Sequence, residues 1–237
     1  MLNSTVATDQ AVAETGLYHR IYLPERRPEK NPLVVLIHGR AGDAKVMWVF
    51  SKALQNIKPV IVSPQATFPD LHGFSWWPLN ELTQQKLDTA EKELQRIEEI
   101  KDSLKILTNF IDKCVDYYQT NPKEIYLVGF SQGGAAAATI SMMQPEKYNG
   151  VGILSSFIPS LVEKYPEQFG LNEEQKLRNY FVFHGTKDDV VPLERAIRTK
   201  SSLEHRSESV VYVEDETTHK VSTPGVKGLQ QWFEGIM

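Results

Sequence analysis

Glu124-Ile125-Tyr126-Leu127-Val128 is an apolar run that leads without a break into Gly129-Phe130-Ser131-Gln132-Gly133 and then into Gly134-Ala135-Ala136-Ala137-Ala138. The pattern predicts a strand, a sharp turn and a helix whose small residues let its backbone press against a sheet. A serine at such a turn stands on a strained backbone. Bulk at either flanking position would collide with neighbouring elements, so Gly129 and Gly133 are required sterically. A bare G-x-S-x-G is only moderately specific. Set between a strand and an alanine-rich helix it is the arrangement of a nucleophile elbow, with Ser131 as the candidate nucleophile.

The rest of the chain supplies a sheet for that elbow. Leu33-Val34-Val35-Leu36-Ile37 is continuously apolar, as strands buried on both faces of a parallel sheet are. Val60-Ile61-Val62, Val151-Gly152-Ile153-Leu154, Tyr180-Phe181-Val182-Phe183 and Val210-Val211-Tyr212-Val213 follow, separated by stretches long enough for helical crossovers. This alternation predicts an α/β fold with a mostly parallel, doubly wound central sheet flanked by helices on both faces. Tyr18 to Leu23 alternates like an edge strand. Leu94, Ile97, Ile100, Leu104, Leu107 and Ile111 recur at helical steps, which predicts an amphipathic helix on the sheet, and the charges over 88–102 read as its solvated face. A closing helix over Thr223 to Phe233 packs Leu229, Trp232 and Phe233 inward. With no repeat and no linker, residues 1–237 form one domain, with 1–16 as a flexible N-terminal segment. The irregular segments 67–80 and 155–170 hold many aromatics among prolines and glycines, as functional loops do.

Composition narrows the function. A net charge of -4, with no cluster of Lys and Arg to track phosphates, argues against nucleic acid as a partner. Residues 1–16 lack a signal-peptide pattern, and no apolar run approaches the ~18 residues of a membrane span, so the expectation is a cytoplasmic protein without stable membrane insertion. Cys114 is the only cysteine and reads as a buried small hydrophobe, and the 6 histidines show no paired-ligand spacing, so no metal is called for. A homo-oligomer is compatible with the sequence.

A serine hydroxyl needs a base to take its proton and a third group to orient that base. Acid candidates stand in His184-Gly185-Thr186-Lys187-Asp188-Asp189-Val190-Val191-Pro192, directly after an apolar strand, where Asp188 and Asp189 compete. The base candidate is His219, in the loop between the last strand and the closing helix. His38 and His184 each end a strand ahead of a glycine and read as structural, while His19, His72 and His205 lie outside the order of serine, acid and histidine that α/β-hydrolases keep. Oxyanion donors are the N–H of Gln132, after the serine, and that of Arg40, in the turn Leu36-Ile37-His38-Gly39-Arg40-Ala41-Gly42-Asp43. No G-x-G-x-x-G or Walker lysine pattern is present, so that turn is not a nucleotide cradle.

Leu36-Ile37-His38-Gly39, Gly129-Phe130-Ser131-Gln132-Gly133-Gly134, the His184 to Pro192 segment and the late His219 together resemble the phospholipase/carboxylesterase family, which includes acyl-protein thioesterases. The resemblance spans about residue 18 to the C-terminus. It implies the α/β-hydrolase fold, no cofactor, a lidless or nearly lidless site, and small-molecule ester or thioester substrates whose acyl chain lies in an apolar groove. It also assigns the catalytic acid to Asp188. Arg40-Ala41 departs from the small or apolar residue and glycine that many members carry there, and 155–170 is long enough to raise the question of a lid.

The combined reading is a serine carboxylesterase, of thioesterase or lysophospholipase kind, that works through Ser131, His219 and Asp188 and an acyl-enzyme on short to medium acyl esters. Phe74, Trp76, Trp77 and Phe157 are the expected walls of the acyl site. The alternatives are an acyltransferase or peptidase on the same fold, and a catalytically silent ligand-binding protein.

Overall fold

Each of Val34, Val35, Leu36 and Ile37 is inaccessible to solvent, because β3 (Leu33–Ile37) lies in the middle of an 8-stranded sheet covered on both faces. The structure, a computed structural model, describes residues 2–25, 30–78, 89–172 and 174–237. The chain enters through β1 (Thr5–Val6), helix α1 (Asp9–Thr15) and β2 (His19–Tyr22), passes through β3 and a 3-10 helix (Val46–Leu54) to β4 (Val60–Pro64), and then forms a small hairpin from β5 (Phe68–Asp70) and β6 (Gly73–Ser75). There follow α2 (Ala90–Tyr117), β7 (Ile125–Phe130), α3 (Gln132–Met143), β8 (Gly150–Leu154), α4 (Ser160–Lys164), a 3-10 turn (Pro166–Phe169), β9 (Leu177–Gly185), α5 (Leu193–Glu204), β10 (Ser207–Asp215) and α6 (Thr223–Ile236).

The strand order is β1-β2-β4-β3-β7-β8-β9-β10, with β2 antiparallel to both of its neighbours, β1 and β4, and every other pairing parallel. This is the α/β-hydrolase sheet that the sequence predicts. One face packs on α2, α3, α4 and α5 through residues such as Ile97, Leu107, Ala136, Val162 and Leu203. The other packs on the 3-10 helix and α6 through Met47, Phe50, Leu229, Trp232 and Phe233. Burying each large aliphatic or aromatic side chain contributes roughly 1.5–3 kcal/mol, so these two layers hold the strand ends that carry the site.

Local signals set the helices. Thr89 caps α2 by accepting from the Lys92 N–H, with Glu91 and Glu93 against the positive end, and Ser222 caps α6 by accepting from the Gly225 N–H. Along α2 the positions Ile97, Ile100, Leu104, Leu107 and Ile111 are buried, whereas Leu94 lies outside the buried stripe and is exposed. Cys114 is also buried, which pushes its thiol well above the usual range. Among the described residues no helix is long and apolar enough to cross a membrane.

The structure corrects three local expectations. Residues 2–16 are not a bare flexible segment: β1 pairs with β2, and α1 is capped by Thr8 at one end and by Gly16, in the left-handed conformation, at the other. β2 is consequently not an edge strand, since it pairs with β1 and β4. Within 67–80, the described residues include the β5–β6 hairpin rather than irregular chain throughout, and Leu79 and Asn80 lie outside the described residues, as does Asp88 of the charged segment.

Candidate active site

Ser131 stands where β7 ends and α3 begins, with φ 50° and ψ -119°, a strained backbone for a residue with a side chain. Three hydrogen bonds pin the turn: the Ser131 N–H donates to the Leu154 carbonyl at 3.0 Å, while the Ser131 carbonyl accepts from the Ala135 N–H at 3.0 Å and from the Ser156 hydroxyl at 2.5 Å. The flanking glycines are dictated by close approach. A Cβ on Gly129 would sit 2.2 Å from the Gly133 carbonyl oxygen, and one on Gly133 would sit 2.2 Å from that of Ile37.

Asp188 and His219 come from the ends of neighbouring parallel strands, β9 and β10, where Gly185 pairs with Asp215. Their loops are stitched together by the Lys187 N–H donating to the Thr217 carbonyl at 3.0 Å and the Thr186 N–H to the Asp215 carbonyl at 2.9 Å. The side chain of Asp188 is fully buried; its Oδ1 accepts the N–H groups of Val190 at 3.0 Å and Val191 at 2.8 Å. Its Oδ2 faces His219 Nδ1 at 2.8 Å, and His219 Nε2 lies 3.0 Å from Ser131 Oγ. With the Nδ1 proton on the Asp188 side, Nε2 is free to accept from the serine. Phe130 packs on the imidazole, with ring centroids 4.9 Å apart. Asp189, the competing neighbour, is exposed.

The two histidines read as structural are both buried. His38 Nδ1–H donates to the Gly39 carbonyl at 2.7 Å and its Nε2 accepts from the Ala66 N–H at 3.0 Å, and burial lowers its pKa. His184 Nε2–H donates to the Val191 carbonyl at 2.8 Å.

Gln132 follows Ser131 directly, and Gly39, before Arg40, lies so close that a Cβ on it would sit 3.1 Å from the Ser131 Cβ; among the described residues neither the Arg40 nor the Gln132 backbone N–H has an acceptor. Their side chains are engaged elsewhere. Arg40 Nε–H donates to Asp70 Oδ2 at 2.8 Å; Asp70 also accepts from the Ser75 hydroxyl at 2.8 Å, and Ser75 Oγ accepts from the Ala41 N–H at 3.1 Å. The Arg40 guanidinium holds the Asp70 carboxyl below the usual carboxylate range. The Gln132 amide accepts from the Trp76 N–H and donates to the Trp77 carbonyl, both at 2.9 Å, tying the segment after the hairpin to the elbow. Neither network was legible in the sequence, because each joins residues far apart in the chain with no motif.

A cavity of about 570 Å³ opens beside Ser131 and His219, lined in part by Leu71, Trp77, Ile100, Phe157 and Leu161. Of the four aromatics expected to wall it, Trp77 and Phe157 do so, and Phe74 and Trp76 do not. Trp76 is turned inward, its indole N–H donating to the His38 carbonyl at 2.8 Å, and Phe74 packs against the core. Arg96, in the segment expected to be a solvated face, is buried instead and lines the cavity, ion-paired to Glu99 at 2.7 Å and bonded to the Pro78 carbonyl. The segment 155–170 is packed into the body through Ile158, Leu161, Val162 and Phe169, and it lends Phe157 and Leu161 to the wall.

A family model described as phospholipase/carboxylesterase matches residues 19–233. An acyl-protein thioesterase 1 of Kluyveromyces lactis is 27% identical over 192 residues, covering 75% of this chain and 78% of the relative. The carboxylesterase SOBER1 of Arabidopsis thaliana is 27% identical over 122 residues, covering 48% of this chain and 50% of the relative. Among solved structures, a Bacillus cereus carboxylesterase superposes with a TM-score of 0.77 at 15% identity, covering 96% of this chain and 98% of that one. The esterase PE8 does so with a TM-score of 0.73 at 21% identity, covering 92% and 97%; these likenesses concern the fold. Over nearly its whole length, then, the chain belongs to the phospholipase/carboxylesterase family of α/β-hydrolases.

Proposed function

We propose that this serine hydrolase cleaves carboxylic esters of short to medium acyl chain in two steps, with Ser131 as nucleophile, His219 as base and Asp188 as the group that orients the base. The observation that carries the reading is the unbroken chain of contacts from Asp188 Oδ2 through His219 to Ser131 Oγ, at 2.8 and 3.0 Å. Family membership supports it, as do relatives described as an acyl-protein thioesterase and a carboxylesterase.

Ser131 Oγ adds to the carbonyl carbon while its proton passes to His219 Nε2. The carbonyl electron pair moves onto oxygen, where the N–H groups of Arg40 and Gln132 stabilise it, each such donor contributing ~3 kcal/mol in the transition state. As the tetrahedral species collapses, the alkoxy group departs with the proton from His219, leaving the acyl group on Ser131. Water, deprotonated by the same imidazole, then repeats the addition and releases the acid. Asp188 keeps Nδ1 protonated and stabilises the imidazolium that forms at each step. A thioester follows the same course with a thiol as the leaving group.

The test is turnover of p-nitrophenyl esters from acetyl to palmitoyl beside matching thioesters. Ester hydrolysis is expected, fastest for short to medium chains, with kcat/KM lowered by a factor of about 10⁴ or more in Ser131→Ala and His219→Ala and by about 10³–10⁴ in Asp188→Asn. Undiminished turnover in Ser131→Ala refutes the nucleophile, and faster cleavage of palmitoyl than of butyryl esters refutes the chain-length preference.

A further inference from the structure

The guanidinium groups that line the cavity beside Ser131 belong to Arg40, Arg96 and Arg195, and among the described residues no Asp or Glu lines it. Arg40 is matched by Asp70 at 2.8 Å and Arg96 by Glu99 at 2.7 Å. Arg195, in the first turn of α5, has no such match: its backbone N–H donates to the Pro192 carbonyl at 2.9 Å, but among the described residues its guanidinium makes neither an ion pair nor a hydrogen bond, and its Cζ rests 3.4 Å from the centroid of the Phe157 ring. Burial, with Arg198 acting in the same direction and Glu163 against it, lowers the pKa of Arg195, yet an arginine there remains cationic at neutral pH. The guanidinium is half-buried against the Phe157 ring, and among the described residues its N–H groups have no protein acceptor and are open to one from a ligand.

We propose that Arg195 is a specificity-determining residue that binds a carboxylate on the substrate, so that the preferred esters are half-esters of dicarboxylic acids rather than neutral acyl esters. The inference rests on the ester-hydrolase reading of the same cavity. A planar carboxylate fits the guanidinium fork with two parallel hydrogen bonds, and one guanidinium unmatched among the described residues that line the cavity calls for one negative charge. Leu71, Trp77, Ile100 and Leu161 line the same cavity as Ser131 and Arg195, and they offer apolar surface to the methylene spacer of such a half-ester.

The test compares p-nitrophenyl hemiglutarate with p-nitrophenyl valerate, a neutral ester of equal chain length, on the wild type, Arg195→Met and Arg195→Lys. The wild type is expected to favour the hemiglutarate, and the ratio of the two kcat/KM values is expected to fall about 10- to 100-fold in Arg195→Met and to recover in part in Arg195→Lys. Because the readout is a ratio within one preparation, any loss of folded enzyme cancels. No wild-type preference for the hemiglutarate, or a ratio that Arg195→Met leaves within about twofold, overturns the proposal.

A second arm is independent of turnover: equilibrium binding of monomethyl glutarate and dimethyl glutarate to Ser131→Ala, with and without Arg195→Met. Tighter binding of the monoanion, lost with the arginine, supports the carboxylate site; equal binding of the two esters overturns it. Absence of ester hydrolysis in the wild type would fall on the catalytic reading, while the binding arm would still decide the role of Arg195.

Discussion

At the elbow, position is fixed by backbone contact: Gly129 and Gly133 are pressed so closely on each other and on β3 that a single added carbon would lie 2.2 Å from a carbonyl oxygen. On the facing side of the site, position is fixed by polar side chains that bridge separate segments, from Arg40 to Asp70, from Asp70 to Ser75, and from Ser75 back to the Ala41 N–H. The first region has no freedom to adjust, and its residues are replaceable only at the cost of the fold. The second can lose a contact and keep its backbone, so substitutions there are expected to move rate and specificity before stability. The placement of Ser131 is thus sterically locked, while the loop of Arg40 and the cavity wall are adjustable.

The contrast breaks first at Gly133. Gly133→Ala is expected to cost about 3 kcal/mol or more, because the clash is with β3 backbone that cannot yield, and urea unfolding measures it. A Gly133→Ala protein as stable as the wild type would remove the steric half of the comparison. Asp70→Ala is expected to act the other way: kcat/KM falls about tenfold as the loop carrying the Arg40 N–H loses its anchor. Its unfolding free energy should change by about 1 kcal/mol or less, as befits an ion pair that is partly exposed on its arginine side. Equal kcat/KM in Asp70→Ala and wild type would contradict the role given to the network.

The smallest effect sharpens the picture through pH. His19 and His38 are buried and their pKa values are lowered, burial being the main cause in each. His38 cannot take a second proton without turning an N–H toward the Ala66 N–H that its Nε2 now accepts. The unfolded chain therefore binds protons that the folded one refuses. Stability from these groups is present in full above the ordinary histidine value of 6.5 and falls as pH drops below it, by at most about 1.4 kcal/mol per pH unit per histidine. Urea midpoints between pH 7.5 and 5 should decline, and less steeply in His19→Gln; an equal slope in that variant would contradict the assignment.

The same division accounts for what the sequence disclosed. The strands, the elbow and the order of Ser131, Asp188 and His219 were readable because each depends on residues adjacent in the chain: apolar runs, flanking glycines, and loops that follow strands. Choosing Asp188 over Asp189 needed the family resemblance; in the structure it is the Asp188 carboxyl that is buried and faces His219. The cavity wall was not readable. Whether Trp76 points at substrate or at the His38 carbonyl depends on which partner the fold brings near, and nothing in Phe74-Ser75-Trp76-Trp77 distinguishes the Trp77 that lines the cavity from the Trp76 behind it. Arg96 looked like one more charge on a solvated helix, yet its position on the inner face of α2 beside Ile97 and Ile100 carried the signal that it is buried. The N-terminal strand and helix were missed because a two-residue strand has no periodicity to read.

The central claim is that the Ser131 hydroxyl is the group that takes the acyl chain. Brief reaction with a fluorophosphonate, or rapid quench during turnover of a p-nitrophenyl ester, followed by mass spectrometry of the intact protein and its peptides, tests it most directly. A single adduct on the peptide bearing Ser131, absent in Ser131→Ala and slowed in His219→Ala, is the predicted result. An adduct on any other side chain, or turnover of the ester with Ser131 never modified, would contradict it.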